Sequence, residues 1–204
     1  MGKSIGRRPI HQSENQTGLE RGKTMREKIL QAIRKNEIQT YSVTEKTTEG
    51  AELYFIKKDL DMRRMKKDAY SEVTIYRDFE VDGKKMRGSA DINIFPEMTQ
   101  EEVDKAVSGA FYAASFVKNP YFEIPKGTKE DKVEVESTLC GKSLEETGDA
   151  FVKALYCVDV HEDAFINTAE FFMDKTWTAI YNSEGVDVSY EKNSVRGEFV
   201  VQCI

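Results

Sequence analysis

Histidine is the scarcest chemistry-bearing residue in this chain. Two occur among 204 residues, His11 and His161. Neither has a second histidine four or five positions away, the spacing that lets two imidazoles on one helix share a metal. Cysteine is nearly as rare, at Cys140, Cys157 and Cys203. An odd number without paired spacing argues against a disulfide framework and fits a reducing cytoplasm. No stretch approaches the roughly 18 apolar residues of a membrane span. Lys3, Arg7 and Arg8 have no apolar run behind them, so the N-terminus does not read as a secretory signal. An excess of positive charge is missing as well. The net charge is −6 and the pI about 5.2, which gives no support to nucleic-acid binding. The sole tryptophan, Trp177, is expected to anchor the core.

What is present describes a highly charged globular chain, 39% hydrophobic and 32% charged. Its length suits one domain or two small ones and allows a sizeable core without staples. There is no fixed-period repeat and no low-complexity segment. Residues 1–24 are polar and almost without large apolar side chains, and are expected to form a flexible tail. Residues 25–204 are expected to form one α+β domain, an antiparallel sheet with two to three amphipathic helices packed on it. Met25 is a candidate natural start. A nucleic-acid arm is the alternative reading of the tail, and a solvated terminus is preferred.

The most informative stretch lies between Tyr70 and Pro125. Val73 and Ile75 alternate with Thr74 and Tyr76 at strand period. Asp82-Gly83 is a two-residue hairpin turn, because both positions tolerate φ > 0. The return strand sets Ala90, Ile92 and Ile94 on one face. Thr99 with Glu102 three residues on is a capping box. Val103, Ala106, Val107, Ala110, Phe111, Ala114 and Val117 then form one helical stripe, stopped at Asn119-Pro120.

Earlier, Thr24 opens a short helix with Ile29, Leu30 and Ile33 facing in. Ile38–Thr44 and Glu52–Lys57 are expected as two strands about a Glu49-Gly50 turn. Arg63, Arg64, Lys66 and Lys67 form a basic run. It reads as a solvated edge strand guarded by positive charge, in preference to a site for an anion or acidic partner. Later, Val133 and Val135 have short strand potential. Ser143 and Glu146 make a second capping box, with Phe151, Ala154, Leu155 and Val158 as the inner stripe. Four short strands follow, about Phe165–Met173, Thr176–Tyr181, Val186–Tyr190 and Val195–Cys203. They turn at Asp174-Lys175, Asn182–Gly185 and Lys192-Asn193 as a meander.

The segments YRDFEVDGKKMRGSADINIF, TQEE at a helix start, NPYFEIP, and IYNSEGVDVSYEKNSVRGEFVVQC resemble the N-terminal domain of the TldD/PmbA family. Members are zinc metallopeptidases, also named modulators of DNA gyrase. The resemblance covers roughly residues 25–204 and rests on diffuse patterns. It implies a domain that helps shape a peptide-substrate chamber and a homo- or hetero-dimer interface. Peptide or unfolded protein is then the partner of the full-length protein, with neither nucleic acid nor membrane involved. In the family, H-E-x-x-x-H on a helix beyond this domain carries the zinc. Here His161-Glu162 continues without a second histidine. No catalytic, cofactor-binding or metal-ligating residue is therefore expected, and zinc only in a full-length member. The chain is expected to be either a fragment or a short natural relative.

Other constellations are weaker. Cys140-Gly141-Lys142-Ser143 looks like the end of a phosphate loop, but position 136 is Glu136 where glycine is needed, and Ser143 serves better as a cap. Cys157 and His161 are four apart, yet a nucleophile pair needs an orienting group and an oxyanion hole. Cys157 reads as a small core residue and His161 as a polar group near a helix end. Glu101-Glu102 and Glu145-Glu146 sit in first helical turns, where negative charge is stabilising without catalysis. Two rivals to the family reading are a stand-alone peptide-binding or dimerisation module and an unrelated small enzyme using Cys157 and His161.

Overall fold

The computed structural model describes residues 17–128, 133, 135, 137–139 and 141–204, with side chains in the first helix from Met25 onward. Of the expected tail, residues 1–16 lie outside the described residues, as do Cys140 and Glu136, whereas residues 17–24 belong to α1, which starts ahead of the expected Thr24. The order is helix α1 (Thr17–Lys35), β1 (Thr40–Ile56), β2 (Asp59–Val81), β3 (Lys84–Ile94), α2 (Gln100–Ala114), β4 (Asn119–Pro120), α3 (Leu144–Tyr156), β5 (Ala164–Asn182) and β6 (Asp187–Cys203). The strands form one six-stranded sheet in the order β4-β3-β2-β1-β5-β6, and every pairing is antiparallel. This is the expected α+β class.

The central unit forms as its sequence dictates. Asp82 (φ 51°) and Gly83 (φ 73°) both take left-handed backbone. They close β2 onto β3 with Val73 opposite Ile92 and Ile75 opposite Ala90. Both halves of the Thr99–Glu102 capping box are made. α2 buries Val103, Val107, Ala110 and Ala114 and ends at Ala114, short of Asn119-Pro120, which instead pair with β3 as β4. Gly88 is what permits this end: a Cβ there would run into the Ala114 carbonyl.

Two apolar clusters fill the helix-covered face. In the first, Ile29 and Ile33 of α1 and Val103 of α2 pack on Val43, Val73, Ile75, Ile94 and Tyr181 of the sheet. Under α3 lie Ala51, Phe55, Ile166, Ala169, Phe171 and Met173. Fully burying one such Ile or Val contributes about 1.5–3 kcal/mol. Trp177 is half-buried and belongs to neither cluster. On β5 it falls between Met173, under α3, and Tyr181, under α1, so the expected core anchor sits between the two helix footprints.

Four expectations on local structure need correction. β1 runs straight through Glu49-Gly50, and the chain reverses instead after Ile56, where Lys57 takes a φ of 56°. Gly50 is needed there because Lys66 and Asp174 meet over it. A Cβ would strike the Lys66 stem and lie 2.6 Å from Asp174 Oδ1. Similarly, β5 and β6 are two long strands in place of four short ones. Asp174-Lys175 and Ser194-Asn193 are paired across them, so only Asn182–Gly185 turns. The α3 stripe is rotated. Thr147 and Gly148 are buried, with Leu144, Val152, Leu155 and Tyr156 packed beside them, while Phe151 and Val158 are exposed. Close approach at Gly148, under Leu53 and Met173, sets that rotation. Finally, Val133 and Val135 are exposed and in no strand.

Candidate functional site

The residues weighed for chemistry are not brought together. Cys157 is the C-cap of α3 and exposed. Its thiol lies 3.1 Å from the Ala154 carbonyl oxygen. His161 stands four positions on, beyond the helix end, also exposed. Cys157 is thus not a core residue, because the helix stops at Tyr156 and leaves no turn to carry both side chains on one face. Ser143 is the N-cap of α3 and Glu146 completes its box, so the hydroxyl is committed to the helix. Among the described residues no group of three or more His, Cys, Asp or Glu is placed to hold a metal.

The basic run on β2 is neutralised within the molecule. Arg63 meets Glu145, Arg64 meets Glu52 at 3.2 Å, Lys66 meets Asp174 at 3.0 Å, and Lys67 meets Glu49. This half of β2, residues 59–70, extends past the end of β3 and forms an open edge. The edge-strand reading accounts for it.

Two buried charge clusters went unnoticed in the sequence. The first centres on Arg87, which is 4% exposed. Its Nε and Nη2 donate to both oxygens of Asp78, at 2.6 and 2.9 Å. Its Nη1 donates to the Phe122 carbonyl at 2.7 Å, and the Tyr121 ring lies 4.5 Å away. The guanidinium holds the Asp78 carboxyl below its ordinary range, as a bidentate pair should. The signal was there. Asp78 and Arg87 are equidistant from the Asp82-Gly83 turn, so a two-residue hairpin must set them opposite each other. The cluster pins the Asn119–Phe122 exit onto β3.

The second joins distant segments. Glu45 on β1 is 3% exposed and accepts from the Tyr181 hydroxyl at 2.9 Å. Burial pushes the Glu45 carboxyl up and the Tyr181 phenol far up. Arg26 of α1 lies over the Tyr181 ring at 4.1 Å and binds Asp187 through two hydrogen bonds. Ser71, opposite Glu45 on β2, is buried with its hydroxyl unpartnered among the described residues. No spacing in the sequence pairs positions so far apart.

No protein-family model and no curated protein sequence matches the chain. Solved structures do. A putative modulator of a DNA gyrase from Thermotoga maritima superposes with a TM-score of 0.60 at 17% identity, over 85% of this chain and 38% of its own. TldE from Thermococcus kodakarensis gives 0.56 at 14%, over 85% and 39%. A putative modulator of DNA gyrase from Bacteroides thetaiotaomicron gives 0.63 at 10%, over 88% and 41%. The fold is of the TldD/PmbA type. The TldD/PmbA-type fold covers nearly all of this chain but only about two fifths of those proteins. Within it, the stretches that carry the sequence resemblance build the β2–β3 hairpin, the Arg87 cluster and the β5–β6 hairpin. Among the described residues no helix is long and apolar enough to cross a membrane.

Proposed function

We propose that this chain is the N-terminal, non-catalytic domain of a TldD/PmbA-like zinc metallopeptidase acting on peptides, and that it shapes the substrate chamber and the subunit interface. The observation that carries this reading is the coverage: the shared fold takes up most of this chain and a minority of each matched protein. The 204 residues contain no H-E-x-x-x-H, so zinc and peptide cleavage belong to a partner segment outside them. Peptide or unfolded protein is the substrate class, and homo- or hetero-dimers the assembly. The acidic net charge speaks against nucleic acid. The exposed thiols of Cys157 and Cys203 suit a reducing, cytoplasmic setting.

The test is to read the gene past codon 204 and assay the encoded product for bound zinc and chelator-sensitive peptide cleavage. A frame that continues into H-E-x-x-x-H, with zinc-dependent cleavage, is expected. A frame that stops at Ile204 with no metal bound defeats the reading. It would favour a stand-alone peptide-binding or dimerisation module, for which the open strand edges are the supporting feature.

A further inference from the structure

Among the described residues the sheet has two long open edges, and they are guarded differently. The β2 edge carries four cations, each held by a carboxylate of the same chain. The β6 edge runs 17 residues without proline. Val188, Tyr190, Phe199, Val200 and Val201 along it are each more than half exposed, and successive positions place them on both faces. A long edge with apolar side chains on both faces is a template for another strand. Its charges are also incomplete. Glu198 lies directly opposite Glu170 on β5, a like-charge pair that costs stability, and among the described residues only Arg196, at 3.4 Å, offsets it. Lys192 lies opposite neutral Thr176 and has no carboxylate partner among the described residues.

We propose that two copies of this chain pair β6 to β6, antiparallel about a two-fold axis at Val195. This deepens the dimer named above and rests on that reading. In an antiparallel pair, opposing residues either both turn their backbone groups to each other or both turn them away. Two copies of one strand meet that condition only when opposing positions differ by an even number. Centring on Val195 overlaps all of residues 187–203, an edge about 55 Å long. It sets Lys192 against Glu198 twice and Tyr190 against Val200 twice. Centring on Ser194 opposes Lys192 to Arg196, and centring on Arg196 opposes that residue to itself. Centring on Asn193 opposes no unlike charges. Centring on Gly197 pairs Arg196 with Glu198 but leaves Val188 and Tyr190 uncovered. The Val195 axis alone gives the lone Lys192 a partner and brings a cation to the Glu170–Glu198 pair.

Sedimentation equilibrium of the full chain tests the pairing. Wild type is expected to dimerise. Lys192→Glu and Glu198→Lys should each raise the dimer Kd about tenfold or more, and the double exchange should return it to within about threefold of wild type. Neither substitution threatens the fold, since Lys192 faces a neutral residue and Glu198→Lys relieves a repulsion. In a background with Cys140, Cys157 and Cys203 changed to Ser, Val195→Cys should cross-link to dimer on oxidation and Gly197→Cys should not. A dimer indifferent to both charge changes, or not restored by the double, overturns the β6 pairing and leaves assembly through another surface. A monomer throughout overturns the pairing and the dimer, while the zinc and cleavage assay still decides the peptidase reading.

Discussion

Glu45 is a carboxyl whose burial sets it apart from the other acidic residues of the sheet. It is buried and held by one phenolic donor, and burial outweighs the nearby Arg26 guanidinium, so its neutral form is favoured. Folding therefore increases its affinity for a proton. The stability it contributes is fully present below the ordinary glutamate range and is lost as pH rises through the raised folded value. Glu45→Gln keeps the shape and the acceptor without the titration. Denaturant unfolding from acid to neutral pH should show wild type losing stability relative to the variant as pH rises. Parallel curves would mean that Glu45 binds its proton equally well in the folded and unfolded chains. Asp78 works in the opposite sense: its carboxyl, held low by Arg87, loses its contribution only as pH falls through the depressed value.

Among the elements, two glycines separate a movable obstacle from a fixed one. At Gly88 the neighbour is the Ala114 backbone carbonyl, so Gly88→Ala must push α2 away from β3 and should cost at least about 2 kcal/mol. At Gly50 the nearest neighbour is the Lys66 stem, which can swing aside. Gly50→Ala should then cost about 1 kcal/mol, chiefly the lost Lys66–Asp174 contact. Chemical denaturation of the two variants checks the order, and a costlier Gly50→Ala would contradict it. The same glycines show what the sequence made legible. The hairpin at Asp82-Gly83 and both capping boxes could be read because each is a local pattern with a local cause. Gly50 reads as a turn because a glycine required by side chains from β2 and β5 looks, in one dimension, like one required by φ. The β5–β6 hairpin was broken into four for a similar reason: Lys192-Asn193 and Asp174-Lys175 have turn chemistry, but pairing across the ladder overrides it. The α3 stripe is illegible because Gly148, not a large apolar residue, faces the sheet. For the site, Asp78–Arg87 follows from turn arithmetic, whereas Glu45–Tyr181 depends on the β1–β5 pairing, which no local pattern specifies.

At the scale of the whole molecule, the two helix footprints are unequal. α1 and α2 cover the larger cluster and are tied to each other: Lys35 pairs with Asp104 at 2.6 Å, and Gln100 donates to the Lys28 carbonyl at 3.0 Å. α3 buries only Thr147 and Gly148 fully. Local opening should follow that difference. In native-state hydrogen exchange, α3 amides should be less protected than those of α2 by roughly 1–2 kcal/mol. Equal protection would show the two clusters opening as one unit.

The strand order has a kinetic corollary. β1–β2, β2–β3 and β5–β6 each join sequence neighbours through a tight reversal. Apart from the short β3–β4 contact across α2, only β1–β5 joins distant chain, as where Lys46 meets Thr178. Hairpins close quickly, and remote ladders wait on loop entropy. Folding thus reduces to two quick local assemblies and one slow seam between them. The buried Glu45–Tyr181 hydrogen bond lies across that seam, so it forms only when the last step is complete.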